Sequence, residues 1–87
     1  MASYRVTLKR SAEKELFDLP NKDCARVTEK LKQLVELPLP VGVEKLAGDS
    51  DRYRIRQGDY RILYRVDHSA RQVFVFKIGH RREVYRQ

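Results

Sequence analysis

Two alternating runs flanking Gly58-Asp59 constrain this chain most: Arg52-Tyr53-Arg54-Ile55-Arg56-Gln57 before the break and Tyr60-Arg61-Ile62-Leu63-Tyr64-Arg65-Val66 after it. Period-2 alternation marks a half-buried strand, and a short break of turn formers between two such runs predicts a tight β-hairpin. One face takes Tyr53, Ile55, Tyr60, Ile62, Tyr64 and Val66. The other takes Arg52, Arg54, Arg56, Arg61, Leu63 and Arg65. A two-residue loop sets Gln57 opposite Tyr60, Arg56 opposite Arg61 and Ile55 opposite Ile62. Apolar side chains then meet on one face and arginines on the other.

That register carries a cost. Like charges directly across an antiparallel pair are destabilising, and two cations about 6 Å apart repel by roughly 0.7–3 kcal/mol for effective dielectrics of about 80 to 20. Strand arginines usually end on a solvated face, where splaying into water keeps the cost low. Arg54, Arg56, Arg61 and Arg65 crowded on one face of a hairpin point instead to a face that binds an anion. The charge distribution agrees. The first fifty residues hold nine Lys/Arg against eight Asp/Glu, and the remainder holds ten against four. Nine of those ten cations are arginines, whose planar fork suits bidentate contact with phosphate. Nucleic acid is therefore the leading partner class and an acidic protein the second.

Eighty-seven residues make one domain, near the lower end of what buries its own core. No apolar run reaches the length of a membrane span or the core of a signal peptide. A single cysteine, Cys24, allows no internal disulfide and no cysteine metal cluster, so a reducing cytoplasm is the expected location. Its place near a helix start would lower a thiol pKa, but a small semi-buried residue is the plainer reading.

Along the chain, Tyr4 to Lys9 alternates as a first strand with Tyr4, Val6 and Leu8 inward. Ser11 is the expected cap of a short helix over residues 12–19, which Pro20 stops. Asn21 is the expected cap of a second helix over about 22–36, with Val27, Leu31, Leu34 and Val35 on one face. Residues 37–42 end it as a loop. Residues 43–50 give little signal beyond a turn at Gly48-Asp49-Ser50 and Leu46 as a loop anchor. After the hairpin, Asp67 to Arg71 forms a turn, and Gln72 to Gly79 is the most apolar strand and the expected centre of the sheet. The order β-α-α-β-β-β implies an α+β fold, two N-terminal helices packed on one face of a small, mainly antiparallel sheet. The arginine face is left uncovered.

The chemical inventory is narrow. The aspartates at turns and two separated histidines lack metal-ligand spacing, no nucleophile–base pair is evident, and the glycines are scattered rather than gathered into a phosphate loop. What remains is a set of arginines with Tyr85 and His80. Arg81 and Tyr85 lie four residues apart and point the same way in strand or helix, so with His80 they are expected beside Arg56 and Arg61. Such a set suits metal-free RNA cleavage. The 2′-hydroxyl attacks the adjacent phosphate, guanidinium groups stabilise the phosphorane oxygens and an acid protonates the leaving 5′-oxygen.

Tyr53-Arg54-Ile55-Arg56, Gly58-Asp59-Tyr60-Arg61-Ile62-Leu63-Tyr64 and Gly79-His80-Arg81-Arg82-Glu83-Val84-Tyr85 together resemble the RelE branch of the RelE/ParE toxin superfamily. The resemblance extends over nearly the whole chain. It implies a type II toxin that enters the ribosomal A site, cuts translated mRNA without a cofactor, and is blocked by a cognate RelB-like antitoxin. It also implies roles. Arg54 and Arg56 hold substrate phosphate, Arg61 and Arg81 stabilise charge at the scissile phosphate, and Tyr85 is the base with His80 its rival. Arg65, from its place on the arginine face rather than from the resemblance, is read as a further phosphate contact. Where the family often carries lysine, this chain has Arg54 and Arg56, and arginine keeps its proton at neutral pH. Those two are thus electrostatic. The alternatives are the ParE branch, which inhibits DNA gyrase, and a non-catalytic RNA-binding module.

Overall fold

The computed structural model describes residues 3–46, 48 and 51–80. The hairpin forms as its alternation predicts, with β3 (Arg52–Gln57) and β4 (Tyr60–Asp67) antiparallel. Gln57 pairs with Tyr60, Arg56 with Arg61 and Ile55 with Ile62. Gly58 opens the two-residue loop at φ +62°, a conformation that favours glycine and gives the turn the twist of its strands. β5 (Gln72–His80) pairs antiparallel with β4, and β1 (Arg5–Leu8) adds parallel to β5. A two-residue strand, β2 (Glu44–Lys45), pairs with β3 at the other edge. The sheet order is β1-β5-β4-β3-β2, so β4 is central and the apolar β5 lies beside it.

Helices α1 (Arg10–Phe17) and α2 (Asn21–Glu36) cover one face. Both begin earlier than their side chains suggest. Lys9 stands at the first cap, its carbonyl accepting from Glu13 N–H, which puts Ser11 inside the helix. Pro20 stands at the second, its carbonyl accepting from Cys24 N–H, which makes Asn21 the first helical residue. Neither cap residue makes a side-chain hydrogen bond to its first turn, so the side-chain capping expected of Ser11 and Asn21 is not seen at either cap. Ala12, Leu16, Val27, Leu31 and Leu34 meet Ile55, Ile62, Tyr64, Val66, Val73, Val75 and Ile78 in one core. Each large aliphatic side chain buried there contributes about 1.5–3 kcal/mol. Tyr64 is fully buried and donates to the Pro38 carbonyl at 2.8 Å, tying β4 to the end of α2. No helix among the described residues is long and apolar enough to cross a membrane.

One irregularity decides what β5 presents. Leu63 pairs with Lys77 but Tyr64 pairs with Val75, so Phe76 is an extra residue in a β-bulge. An inserted residue reverses the faces of all that follow. Val73 and Val75 face the helices before the bulge, and Ile78 does so after it. From α1, Glu15 accepts from Ile78 N–H at 3.0 Å and from Lys77 Nζ at 2.6 Å, so a helix carboxylate clamps the bulge.

Candidate anion-binding site

The face of the sheet turned away from the helices divides along its length. At the open end of the hairpin, Arg52 lies over the Phe76 ring at 5.2 Å and Arg65 pairs with Asp51 at 3.1 Å. Toward the Gly58 turn, Arg54, Arg56 and Arg61 gather around Glu44. Pairing of β2 with β3 sets Glu44 directly opposite Arg54. Arg54 Nε and Nη2 donate to the two Glu44 oxygens at 3.3 and 3.4 Å, and Arg61 Nη1 stands 3.8 Å from Oε1. The hydrogen bond and charge of Arg54 hold the Glu44 carboxyl below its ordinary range, with Arg61 and Arg56 adding to the effect.

Arg61 is only 5 % exposed, which is unusual for a cation. It sits at a shallow cleft of about 290 Å³ that Arg56, Glu44 and Lys30 of α2 also line. A guanidinium screened from water interacts more strongly with an anion than a solvated one. Its desolvation is costly unless negative charge lies close, and Glu44 provides some. The cleft therefore has an arginine floor, further cations at its rim and one carboxylate among them. Chemically it can bind an oxyanion and stabilise charge developing on it.

The structure brings Arg54, Arg56 and Arg61 together and separates others from them. Arg65 is four residues from Arg61 along β4, about 13 Å at 3.3 Å per residue. His80 is not beside Arg56 and Arg61. It pairs with Tyr60, their rings edge to face at 5.8 Å, and lines a hollow with Glu15 and Asp18 on the helix-covered side. The bulge at Phe76 is the reason. Unbroken alternation from Val73 and Val75 would have turned His80 to the arginine face, and the extra residue turns it away. Gly79 instead stands opposite Arg61. Arg81 and Tyr85 lie outside the described residues.

With this geometry in view, comparison with known proteins is specific. The family model described as ParE toxin of type II toxin-antitoxin system, parDE, matches residues 6–85. The chain belongs to this family. Among its relatives the names are RelE-type. Toxin RelG of Mycobacterium tuberculosis is 32 % identical over 85 residues, covering 97 % of this chain and 98 % of that one. RelE in the archaeal RelE–RelB complex from Pyrococcus horikoshii superposes with a TM-score of 0.82 at 33 % identity, covering 91 % of this chain and 96 % of the other. The isolated E. coli RelE toxin gives 0.80 at 31 %, covering 97 % and 93 %. This chain is thus a RelE-type toxin of a toxin–antitoxin system.

Sequence reasoning missed two members of the toxin's cleft. Glu44 lies in a two-residue strand too short to show periodicity. Its one signal is an acidic residue upstream of an arginine-rich strand whose charges need a counter-ion. Lys30 is three residues after the buried Val27 and reads as an ordinary helix cation.

Proposed function

We propose that this RelE-type toxin is a ribosome-dependent endoribonuclease that cuts mRNA in the A site without a metal, in the cytoplasm, and is held inactive by a cognate RelB-like antitoxin. The observation that carries this reading is the gathering of Arg54, Arg56 and the buried Arg61 around Glu44 at one small cleft. Support for the antitoxin is that the Pyrococcus relative was solved in complex with RelB.

In the proposed reaction the 2′-hydroxyl oxygen attacks the adjacent phosphorus and the bond to the 5′-oxygen breaks, leaving a 2′,3′-cyclic phosphate and a 5′-oxygen that takes a proton from water to become a 5′-hydroxyl. Arg61 stabilises the added negative charge, while Arg54 and Arg56 hold the phosphate and Arg65 a neighbouring one. Proton removal from the 2′-hydroxyl falls to Tyr85, since His80 faces Tyr60 behind the sheet. Arg81 stabilises the departing oxygen. A tyrosine's ordinary pKa is about 10, so the base role requires cations beside it to favour the anion. The ParE name of the family model favours one second reading, inhibition of DNA gyrase without cleavage.

Programmed ribosomes with primer extension separate the two. The expected result is A-site cleavage with cyclic phosphate ends, absent from free RNA. Supercoiling inhibition with intact mRNA would establish the second reading instead. In single-turnover cleavage, Tyr85→Phe should lose far more rate than His80→Gln. The reverse ranking would make His80 the base.

A further inference from the structure

The cleft assigned to phosphate already contains an anion. Glu44 spends both carboxylate oxygens on Arg54 and approaches Arg61, and these are two of the three cations the proposed reaction needs. A phosphate oxygen cannot take the same donors while the carboxylate stays. Glu44 is well placed to leave. Its side chain is 57 % exposed, it is on a two-residue strand at the sheet edge among the described residues, and few contacts hold such an element.

We propose, on the phosphate-binding reading above, that Glu44 is a specificity-determining residue. It occupies the phosphate site of the free toxin and yields only to a polyanionic strand that engages several cations at once. An isolated small anion gains the donors of one site and must displace a carboxylate already bound there. A nucleic-acid strand held in position also gains neighbouring contacts, such as Arg65 and Lys30, which offset the displacement. Glu44 therefore sets a threshold that weak or single-point anions do not pass. The two arginines cannot release their protons, so the internal anion is what changes between empty and filled states. Its carboxyl, held below the ordinary range by Arg54 first and Arg61 and Arg56 next, remains charged at neutral pH and competes throughout.

The test is binding of a fluorescein-labelled, single-stranded 2′-deoxy oligonucleotide to the purified full-length chain, read by anisotropy over a salt series. Glu44→Gln keeps the shape and removes the charge. It should bind about fivefold tighter or better, as expected for removing one charge about 4 Å from a phosphate in a water-like medium. The salt slope should steepen by about 0.7 for each arginine released. Adding Arg54→Ala to Glu44→Gln should cancel most of the gain. Affinity unchanged or weaker in Glu44→Gln would overturn the proposal. So would a gain that survives the added Arg54→Ala, or an absence of binding in both proteins at every salt. Urea melts of each variant confirm that the fold is retained. The probe lacks the 2′-hydroxyl nucleophile, so a chain that gains affinity yet never cuts mRNA would lose the nuclease reading and keep this one.

Discussion

Glu15 is the side chain on which the geometry of β5 depends, and its removal makes a quantitative test. Its Oε1 accepts from Ile78 N–H at 3.0 Å and its Oε2 from Lys77 Nζ at 2.6 Å. A hydrogen bond to a charged acceptor contributes about 1.5–3 kcal/mol, and a partly buried N–H left unsatisfied costs a similar amount. These are two accounts of one loss and are counted once. The ion pair is about a quarter exposed on each side, so solvent screening reduces it to roughly 0.2–1 kcal/mol. Glu15→Ala should therefore destabilise the fold by about 2–4 kcal/mol. Glu15→Gln, which keeps an acceptor for Ile78 N–H and loses the charge, should cost about 1 kcal/mol. For a domain of this size 1 kcal/mol shifts the melting temperature by roughly 4–8 °C. Urea denaturation followed by circular dichroism measures the totals, and native-state hydrogen exchange at the Ile78 amide localises them. Glu15→Ala within 0.5 kcal/mol of the parent, or undiminished protection at that amide, would refute the clamp.

Arg61→Ala should lower mRNA cleavage by about 10²–10³-fold, the usual cost of losing a charge-stabilising donor, while stability stays within about 1 kcal/mol because lost stem packing opposes relief of desolvation and of repulsion with Arg56. Arg65→Ala should reduce cleavage only a few-fold in the same assay, since Arg65 stands off the cleft beside Asp51. Equal losses for the two variants would mean that the cleft is not the centre of the chemistry. Burial pushes the Tyr64 hydroxyl above the ordinary tyrosine range. Its contribution to stability is therefore intact below a pH of about 10 and is lost as pH rises from there toward the folded value. Urea melts across that window should show the decline, and Tyr64→Phe should flatten it while costing about 1 kcal/mol for the Pro38 hydrogen bond.

The hairpin and its register were readable because their information is local. Two runs of period 2, joined by a glycine turn, admit one pairing that buries Ile55 against Ile62. The same holds for α2, whose Val27, Leu31 and Leu34 recur at helical spacing and are all buried. The helix caps were misread because Ser11 and Asn21 have good capping side chains, while the actual starts are set by where β1 and Pro20 deliver the chain. A two-residue strand at Glu44 has no period to detect, and its pairing exists only once β3 is in place. The face of His80 was misread for a different reason. Strand parity counts residues without error until one is inserted, and nothing around Phe76 announces the insertion. What stabilises it is Glu15, sixty-three residues earlier than Ile78, a contact that no local pattern contains.

The bulge and the arginine cleft are connected through that parity. Without the extra residue, Ile78 would face the arginines and Gly79 the helices, exposing an apolar side chain beside Arg61 and leaving a gap in the core. With it, Ile78 is 1 % exposed among the core residues, and the residue opposite Arg61 is Gly79, which has no side chain to occupy the ground next to that guanidinium. On its other side Arg61 faces Arg56. The pairing would be poor in a hairpin selected for stability alone, and Glu44 stands 3.8 Å from the Arg61 guanidinium. Cations that the fold brings together, one of them 5 % exposed and facing another across the ladder with Gly79 on its other side, form an arrangement that the proposed phosphate ligand would stabilise by placing negative charge among them.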